Sequence, residues 1–203
     1  SLAPIRLKLP DDCIVNATYP SPVNARHVVG MYVPFPILNA LSEVVPDAVV
    51  AEGSGAVWTV QIQGRDANGR AFTSSMFNYS GGMGARAGKP GLSAICYPTG
   101  VSAVPVEVLE AAYPIVFSCK ELERGTGGAG RQTGGDGQRI GFSMRTDQPW
   151  LLNTVPSRLS AAPQGLAGGA PGASGRFEVN GKPVVLSGKT DMKAGDTILM
   201  GTP

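Results

Sequence analysis

Residues 80–91 read Ser-Gly-Gly-Met-Gly-Ala-Arg-Ala-Gly-Lys-Pro-Gly, and this glycine-rich stretch decides how the rest of the chain is interpreted. It lies between two apolar, strand-like runs, so it predicts a loop that joins two strands. Four glycines among its first nine residues permit backbone angles and close approaches that a Cβ disfavours. Two interpretations are open. The loop is either a tight connection whose glycines satisfy turn geometry, or a concave anion site to which Arg86 and Lys89 add positive charge.

Two further segments share this composition. Residues 125–137 read Gly-Thr-Gly-Gly-Ala-Gly-Arg-Gln-Thr-Gly-Gly-Asp-Gly, and residues 162–172 read Ala-Pro-Gln-Gly-Leu-Ala-Gly-Gly-Ala-Pro-Gly. Residues 22–26 read Pro-Val-Asn-Ala-Arg, and residues 107–114 read Glu-Val-Leu-Glu-Ala-Ala-Tyr-Pro. Taken in order, these strings resemble the C-terminal part of the B subunit of the hydantoinase B/oxoprolinase family. The resemblance covers nearly the whole chain from Leu9 onward.

The resemblance implies a part of an ATP-dependent enzyme that opens a cyclic amide, with a hydantoin, 5-oxoproline or a lactam as the ring. It implies three partners: an ATP-binding A-type subunit that holds ATP and Mg, the upstream half of the B subunit, and the small-molecule cyclic amide. Two alternatives remain open. The chain could belong to an ATP-dependent ketone carboxylase of the acetone or acetophenone type, or it could be a non-catalytic scaffold module of such a complex.

The composition indicates a loop-rich protein that is part of a larger assembly. The 203 residues suffice for one domain with a substantial core or for two small ones. They include 28 glycines and 17 prolines but only 16% charged residues, which predicts a surface covered by other protein. The net charge of +2 is scattered without a basic cluster, so we expect no nucleic-acid partner. No apolar run approaches the length that spans a bilayer, so we expect no membrane partner.

The cysteines predict the compartment. Cys13, Cys96 and Cys119 are odd in number, widely separated and without a Cys-x-x-Cys pair. This usage is typical of a reducing cytoplasm rather than of a disulfide framework.

Ser1 is not a natural translation start, so we expect a processed product, a fragment or an engineered piece. The resemblance also implies a glycine-rich tail beyond Thr202-Pro203, which this chain lacks.

The hydrophobic patterns predict an α+β fold, mostly short β-strands and hairpins with two short helices and long glycine-rich loops. The predicted helices cover residues 34–45, with prolines in the first turn, and residues 104–112. Alternating residues flank Asp-Ala-Asn-Gly at 66–69 and Asn-Gly at 180–181, which predicts two hairpins. Residues 5–9 alternate like a strand, and residues 24–27 are predicted to be a loop. We expect a core over residues 1–150 and a β-rich extension over residues 151–203 that packs on the same domain.

The chain lacks a self-contained catalytic set. His27 is the only histidine, so a multi-histidine metal site cannot be built here, and a transition metal would need ligands from other chains. Asp136, set among glycines and near Arg131 and Arg139 in the sequence, is the most notable carboxylate. It is either a residue that caps a turn or a functional group. The catalytic residues therefore stay unknown.

Within the family resemblance, phosphorylating the amide oxygen requires fixed donors for phosphate oxygens, and loop N–H groups and arginines can provide them. The predicted substrate- or phosphate-binding candidates are Gly81, Gly82, Gly84 and Arg86, with Asn24 and Arg26 as secondary candidates.

Overall fold

The computed structural model describes residues 5–23, 25–186 and 188–203, without the side chains of residues 77 and 78. Within these residues the helices are α1 (Arg26–Tyr32), α2 (Pro34–Leu41) and α3 (Val106–Ala112), and a 3₁₀ turn covers Pro46–Ala48. The strands are β1 (Trp58–Arg65), β2 (Ala71–Tyr79), β3 (Ile115–Glu123), β4 (Gly137–Met144), β5 (Trp150–Val155), β6 (Arg176–Val179), β7 (Lys182–Pro183), β8 (Lys189–Met192) and β9 (Thr197–Gly201). The predicted α+β fold is confirmed.

The first sheet has the strand order β2-β1-β5-β8, and its neighbouring strands are antiparallel. Strands β1 and β2 form the first predicted hairpin. Its turn is closed by the carboxylate of Asp66, which accepts the main-chain N–H groups of Asn68 and Arg70, both at 2.9 Å. Asparagine and aspartate favour turns because their side chains bond to nearby backbone in this way.

The second sheet has the order β3-β4-β9-β6-β7 and is also antiparallel. Strands β6 and β7 form the second predicted hairpin. Asn180 and Gly181 at its turn have φ angles of 52° and 71°, as a two-residue hairpin loop with two left-handed positions requires. Both hairpins are therefore confirmed.

One hydrophobic core joins the inner faces of the two sheets. Val60 and Ile62 of β1 belong to the same buried cluster as Ile140 of β4 and Met200 of β9. Strand β5 shows the expected alternation, since Trp150, Leu152 and Thr154 are buried and the residues between them are less so. Because the two sheets share this core, the loops at one end of it are brought together.

The N-terminal region differs from the sequence predictions. Residues 5–9 form no strand, and Ile5 and Leu7 are exposed, because no neighbouring strand pairs with this segment in the described chain. The loop predicted for residues 24–27 gives way to α1 at Arg26. Helix α2 ends at Leu41 rather than at residue 45, and α3 begins at Val106.

Strands after residue 150 enter both sheets. Strand β5 pairs with β1, and β9 pairs with β4. The division of the chain at residue 150 into a core and an extension stays a prediction. No helix in the described ranges combines the length and the apolar character that crossing a bilayer would need.

Candidate functional site

The three glycine-rich loops converge with two other segments into one cluster, which we call the glycine-loop junction. It consists of residues 51–54, 80–91, 125–137, 163–172 and 201–203. Backbone hydrogen bonds hold it together: Gly82 N–H donates to the carbonyl of Pro203 at 2.8 Å, and Gly135 N–H donates to that of Met83 at 2.9 Å. Ser54 N–H in turn donates to the carbonyl of Gly82 at 2.9 Å. The first loop is thus fixed from both sides by backbone.

The glycines of the first loop are needed because backbones pack directly on one another. A Cβ on Gly82 would lie 1.8 Å from the carbonyl oxygen of Gly135, and one on Gly84 would lie 1.9 Å from that of Ala51. Only a residue without a side chain fits at such approaches. Close backbone packing accounts for both glycines, and the N–H of Gly82 already has an acceptor. The anion site stays a prediction.

Asp136 holds the second loop in shape. Its Oδ1 accepts the N–H groups of Gly125 at 3.0 Å and Gly127 at 3.3 Å, while Thr126 Oγ1 accepts the N–H of Gly137. The interpretation of Asp136 as a residue that caps a turn is confirmed by these contacts. Arg139, its neighbour in sequence, is instead paired with Glu121 at 2.7 Å.

The C-terminal residues are anchored in the interior. The hydroxyl of Thr202, which is 2% exposed, accepts the N–H of Gln138 at 2.7 Å and donates to the carbonyl of Ser80 at 3.1 Å. The side-chain amide of Gln138 (Nε2) also donates to the Ser80 carbonyl, at 2.7 Å. A buried polar network of this kind stabilises the structure when its members are paired. It fixes the end of β9 against the start of the first loop.

An open cavity of about 450 Å³ lies at the junction. Its walls come from residues 46–53, from the first and second loops, from the loop around residues 163–172 and from Pro203. Much of this wall is peptide backbone, because glycines make up a large share of it. The charged side chains among the lining residues are Asp47, Glu52, Arg86 and Arg131.

The structure divides the predicted candidates. Gly82, Gly84 and Arg86 line this cavity. Gly81 does not; it is buried with its backbone against Ser54 and Pro203. Arg26 lies at a separate surface cavity with Val23, Ala25 and His27. Asn24 is outside the described residues.

The side chain of Arg86 is oriented by its own loop. Its Nε and Nη2 donate to the carbonyl of Pro90 at 3.2 and 2.7 Å, and a backbone bridge pairs Arg86 with Lys89. The guanidinium keeps further donors, since five N–H groups are available to it. Arg86 therefore combines a structural contact with a position at the cavity wall.

The sequence patterns did not indicate an ion pair at the cavity wall, between Glu52 and Arg158. Arg158 Nη1 lies 3.0 Å from Glu52 Oε2, with side chains that are 12% and 21% exposed. The same carboxylate oxygen accepts the N–H of Gln164, at the start of the third loop. Nothing in the local sequence indicates this contact, because the two residues belong to different irregular segments.

Within residues 5–23, 25–186 and 188–203, no group of three or more His, Cys, Asp or Glu side chains is arranged to hold a metal ion. At the junction cavity, the guanidinium groups of Arg86 and Arg131 are side-chain donors of the kind that recognise an oxyanion or a carbonyl oxygen.

Two solved structures share the fold. An ATP-dependent caprolactamase from Pseudomonas jessenii aligns with a TM-score of 0.67 at 20% identity, over 93% of this chain and 35% of its own. The nucleotide-free structure of an acetone carboxylase, determined for the mechanism of ATP-dependent acetone carboxylation, aligns with a TM-score of 0.65 at 18% identity, over 82% of this chain and 28% of its own.

The sequence comparisons identify the family. An uncharacterized protein of Methanocaldococcus jannaschii is 34% identical over 200 residues, which is 96% of this chain and 34% of that protein. The chain thus spans about a third of the length of this relative. The family model for hydantoinase B/oxoprolinase matches residues 1–203. On this evidence the protein belongs to the hydantoinase B/oxoprolinase family.

Proposed function

We propose that the chain is the C-terminal portion of the B-type subunit of an ATP-dependent cyclic-amide hydrolase, which opens a hydantoin, 5-oxoproline or lactam ring. The family membership and the fold shared with a caprolactamase support this proposal. The observation that carries it is the junction cavity, because its wall combines peptide groups with Arg86 and Arg131.

The chemistry of ring opening explains why such a wall is useful. An unstrained amide is a poor electrophile, and its carbonyl oxygen is a poor leaving group. Phosphorylating that oxygen makes it a good leaving group, so attack by water becomes feasible. A site for this reaction needs fixed donors that stabilise the charge on phosphoryl and carbonyl oxygens.

We assign the residues of this chain to the wall rather than to bond making. Gly82, Gly84 and Arg86 form the part of the wall that faces the substrate or its phosphate, with the Arg86 guanidinium as the donor because the Gly82 N–H is bound to Pro203. Gly81 packs beneath them against Ser54 and Pro203. Arg26 and Asn24 stay secondary candidates. The A-type subunit supplies ATP and Mg, and the upstream half of the B subunit supplies the other catalytic groups, including the ligands of any transition metal. We also propose a cytoplasmic location, supported by three free and separated cysteines.

A second candidate is a subunit of an ATP-dependent ketone carboxylase, which the fold shared with an acetone carboxylase supports. A carboxylase of this kind also activates a carbonyl oxygen, but it adds a carboxyl group to the ketone, whereas the hydrolase uses water to open the ring. A non-catalytic scaffold module is the third candidate. For a scaffold, substitutions at the cavity would change assembly and leave turnover unaffected.

The test uses the full-length B-type protein in complex with its A-type partner. Ring-opened product and ADP are measured with ATP and each of hydantoin, 5-oxoproline and caprolactam, and in a separate arm with acetone and bicarbonate. We expect ATP-dependent product from one cyclic amide and none from acetone. Carboxylated product from acetone, dependent on bicarbonate, would favour the carboxylase instead.

Substitution of Arg86 tests the cavity. We expect Arg86→Ala to lower kcat/KM by at least about tenfold, since it removes a charged donor from the wall. Arg86→Gln keeps a donor for the Pro90 carbonyl and separates the structural contact from the loss of charge. Arg124→Ala is the matched control, because Arg124 is exposed and outside the cavity lining. Unchanged turnover with unchanged assembly in Arg86→Ala would remove Arg86 from the site.

A further inference from the structure

The tip of the second loop carries a run of unused backbone donors. In the described part of the chain, none of the five N–H groups of residues 128–132 donates a hydrogen bond. The carbonyls of Gly128 and Ala129, by contrast, accept the N–H groups of Gly134 and Ala170. All five residues line the junction cavity. The tip is therefore anchored through its carbonyl oxygens, and no group of the described chain accepts its five N–H donors.

The charges around this tip favour an anion. The guanidinium of Arg131 forms no ion pair or hydrogen bond with any residue that the structure describes, and Arg86 lines the same cavity. Among the lining carboxylates, Glu52 is already paired with Arg158 at 3.0 Å, which leaves Asp47 to oppose the two arginines.

We propose that the tip at residues 128–132, together with Arg131, binds a phosphate dianion. Successive N–H groups at a turn of the backbone can form a concave site for anions, and the chain bends at residues 130–132. The planar guanidinium matches phosphate oxygens with two parallel donors. The site is distinct from the first-loop glycines, because Gly82 N–H is bound to Pro203. The use of the site for phosphate released during ring opening rests on the proposed function, whereas phosphate binding itself does not.

The experiment measures binding in the full-length B-type protein without its A-type partner, so that the partner's nucleotide site does not contribute. Inorganic phosphate is the probe. Modification of arginines by phenylglyoxal is followed residue by residue with mass spectrometry, at constant ionic strength. We expect phosphate to slow modification of Arg131 by at least about fivefold, since bound phosphate occupies its donors. The rate at Arg124, which is exposed and outside the cavity, stays unchanged.

Calorimetry of the variants gives the second readout. Arg131→Gln is expected to weaken phosphate binding by about tenfold or more, because it removes a charge-assisted contact, and Arg124→Gln by less than about twofold. The proposal would be overturned by any of three results. These are equal protection of Arg131 and Arg124, equal phosphate affinity in the two variants, and no phosphate binding by the wild-type protein. Stronger protection by ADP than by phosphate would also overturn it, because the site would then recognise a nucleotide. Since no ring substrate is used, a failure here is distinguishable from a failure of the proposed function.

Discussion

Arg158 links the helical region to the cavity wall through its contact with Glu52. The ion pair measures 3.0 Å, and the Arg158 guanidinium carbon lies 5.1 Å from the centroid of the Tyr32 ring and 5.8 Å from that of Phe35. The Glu52 carboxylate also accepts the N–H of Gln164. A single mostly buried pair thus connects α1, α2, the segment before β1 and the third glycine-rich loop.

Breaking this pair is expected to destabilise the protein. Arg158→Met leaves the carboxylate of Glu52 without its partner, and we expect a loss of about 2–3 kcal/mol in the free energy of unfolding. Arg139→Met is the control, because the Arg139–Glu121 pair is about half exposed on both sides and pairs of that kind contribute no more than about 1 kcal/mol. Urea unfolding monitored by tryptophan fluorescence measures both. Equal losses in the two variants would contradict a special role for the Glu52 pair.

Gly82→Ala is expected to disrupt the glycine-loop junction. Its Cβ would lie 1.8 Å from the Gly135 carbonyl oxygen, and the nearest atoms that it would meet all belong to the backbone of Gly135 and Asp136. We expect a loss of about 3 kcal/mol in the free energy of unfolding, at the upper end of the usual cost of overpacking. Gly30→Ala is the matched control, because Gly30 lies in α1 with nothing within 4 Å of an added Cβ, and alanine favours a helix over glycine by up to about 1 kcal/mol. Thermal unfolding distinguishes the two, and an unaffected Gly82→Ala variant would refute the packing.

Replacing two buried threonines by valine, which has nearly the same shape, should change the free energy of unfolding by different amounts. Thr202→Val removes the acceptor of the buried Gln138 N–H, so we expect a loss of about 1–3 kcal/mol. Thr59→Val removes a buried hydroxyl that has no hydrogen-bond partner, so we expect no loss or a gain. Unfolding in urea measures the difference. A smaller loss for Thr202→Val than for Thr59→Val would show that the anchor of the C-terminal residues has been misassigned.

Tyr79, at the end of β2, is expected to limit stability at alkaline pH. Burial raises the pKa of its hydroxyl well above the usual value. The unfolded chain therefore releases this proton above pH of about 10 while the folded chain keeps it, so the contribution to stability is present below that pH and lost above it. Between pH 10 and 11, Tyr79→Phe should lose stability less steeply than the wild type, by up to about 1.4 kcal/mol per pH unit. Identical slopes in urea-unfolding series would contradict this.

Several parts of the fold could be predicted because their causes are local. The Asp66 turn and the Asn180-Gly181 turn depend on residues within four positions of each other, and alternation of side chains sets which face of β1 or β4 is buried. Residues 5–9 show the limit of this reasoning. Their alternation is typical of a strand, yet a strand exists only where a neighbour pairs with it.

The site could be predicted only in part for the same reason. The glycine content of the first loop indicates close approach but not what approaches, so Gly82 and Gly84 could be selected while their contacts with Gly135 and Ala51 could not. The sequence does not show which N–H groups of a loop have hydrogen-bond acceptors and which do not. Only the folded chain shows that Gly82 N–H is occupied and that those of residues 128–132 are not.

The amino-acid sequence by itself determined the family, the α+β class, the hairpins and the position of the three glycine-rich loops, because each leaves a pattern among residues close in the chain. The tertiary structure decided that these loops meet, that Glu52 pairs with Arg158, and which backbone donors stay free at the cavity. All of these contacts join segments far apart in sequence. The loop contacts are made by main-chain atoms, which are the same in every residue, and the Glu52–Arg158 pair is made by side chains from two irregular segments. Local sequence patterns therefore do not predict these contacts, which form only when the two sheets pack on their shared core.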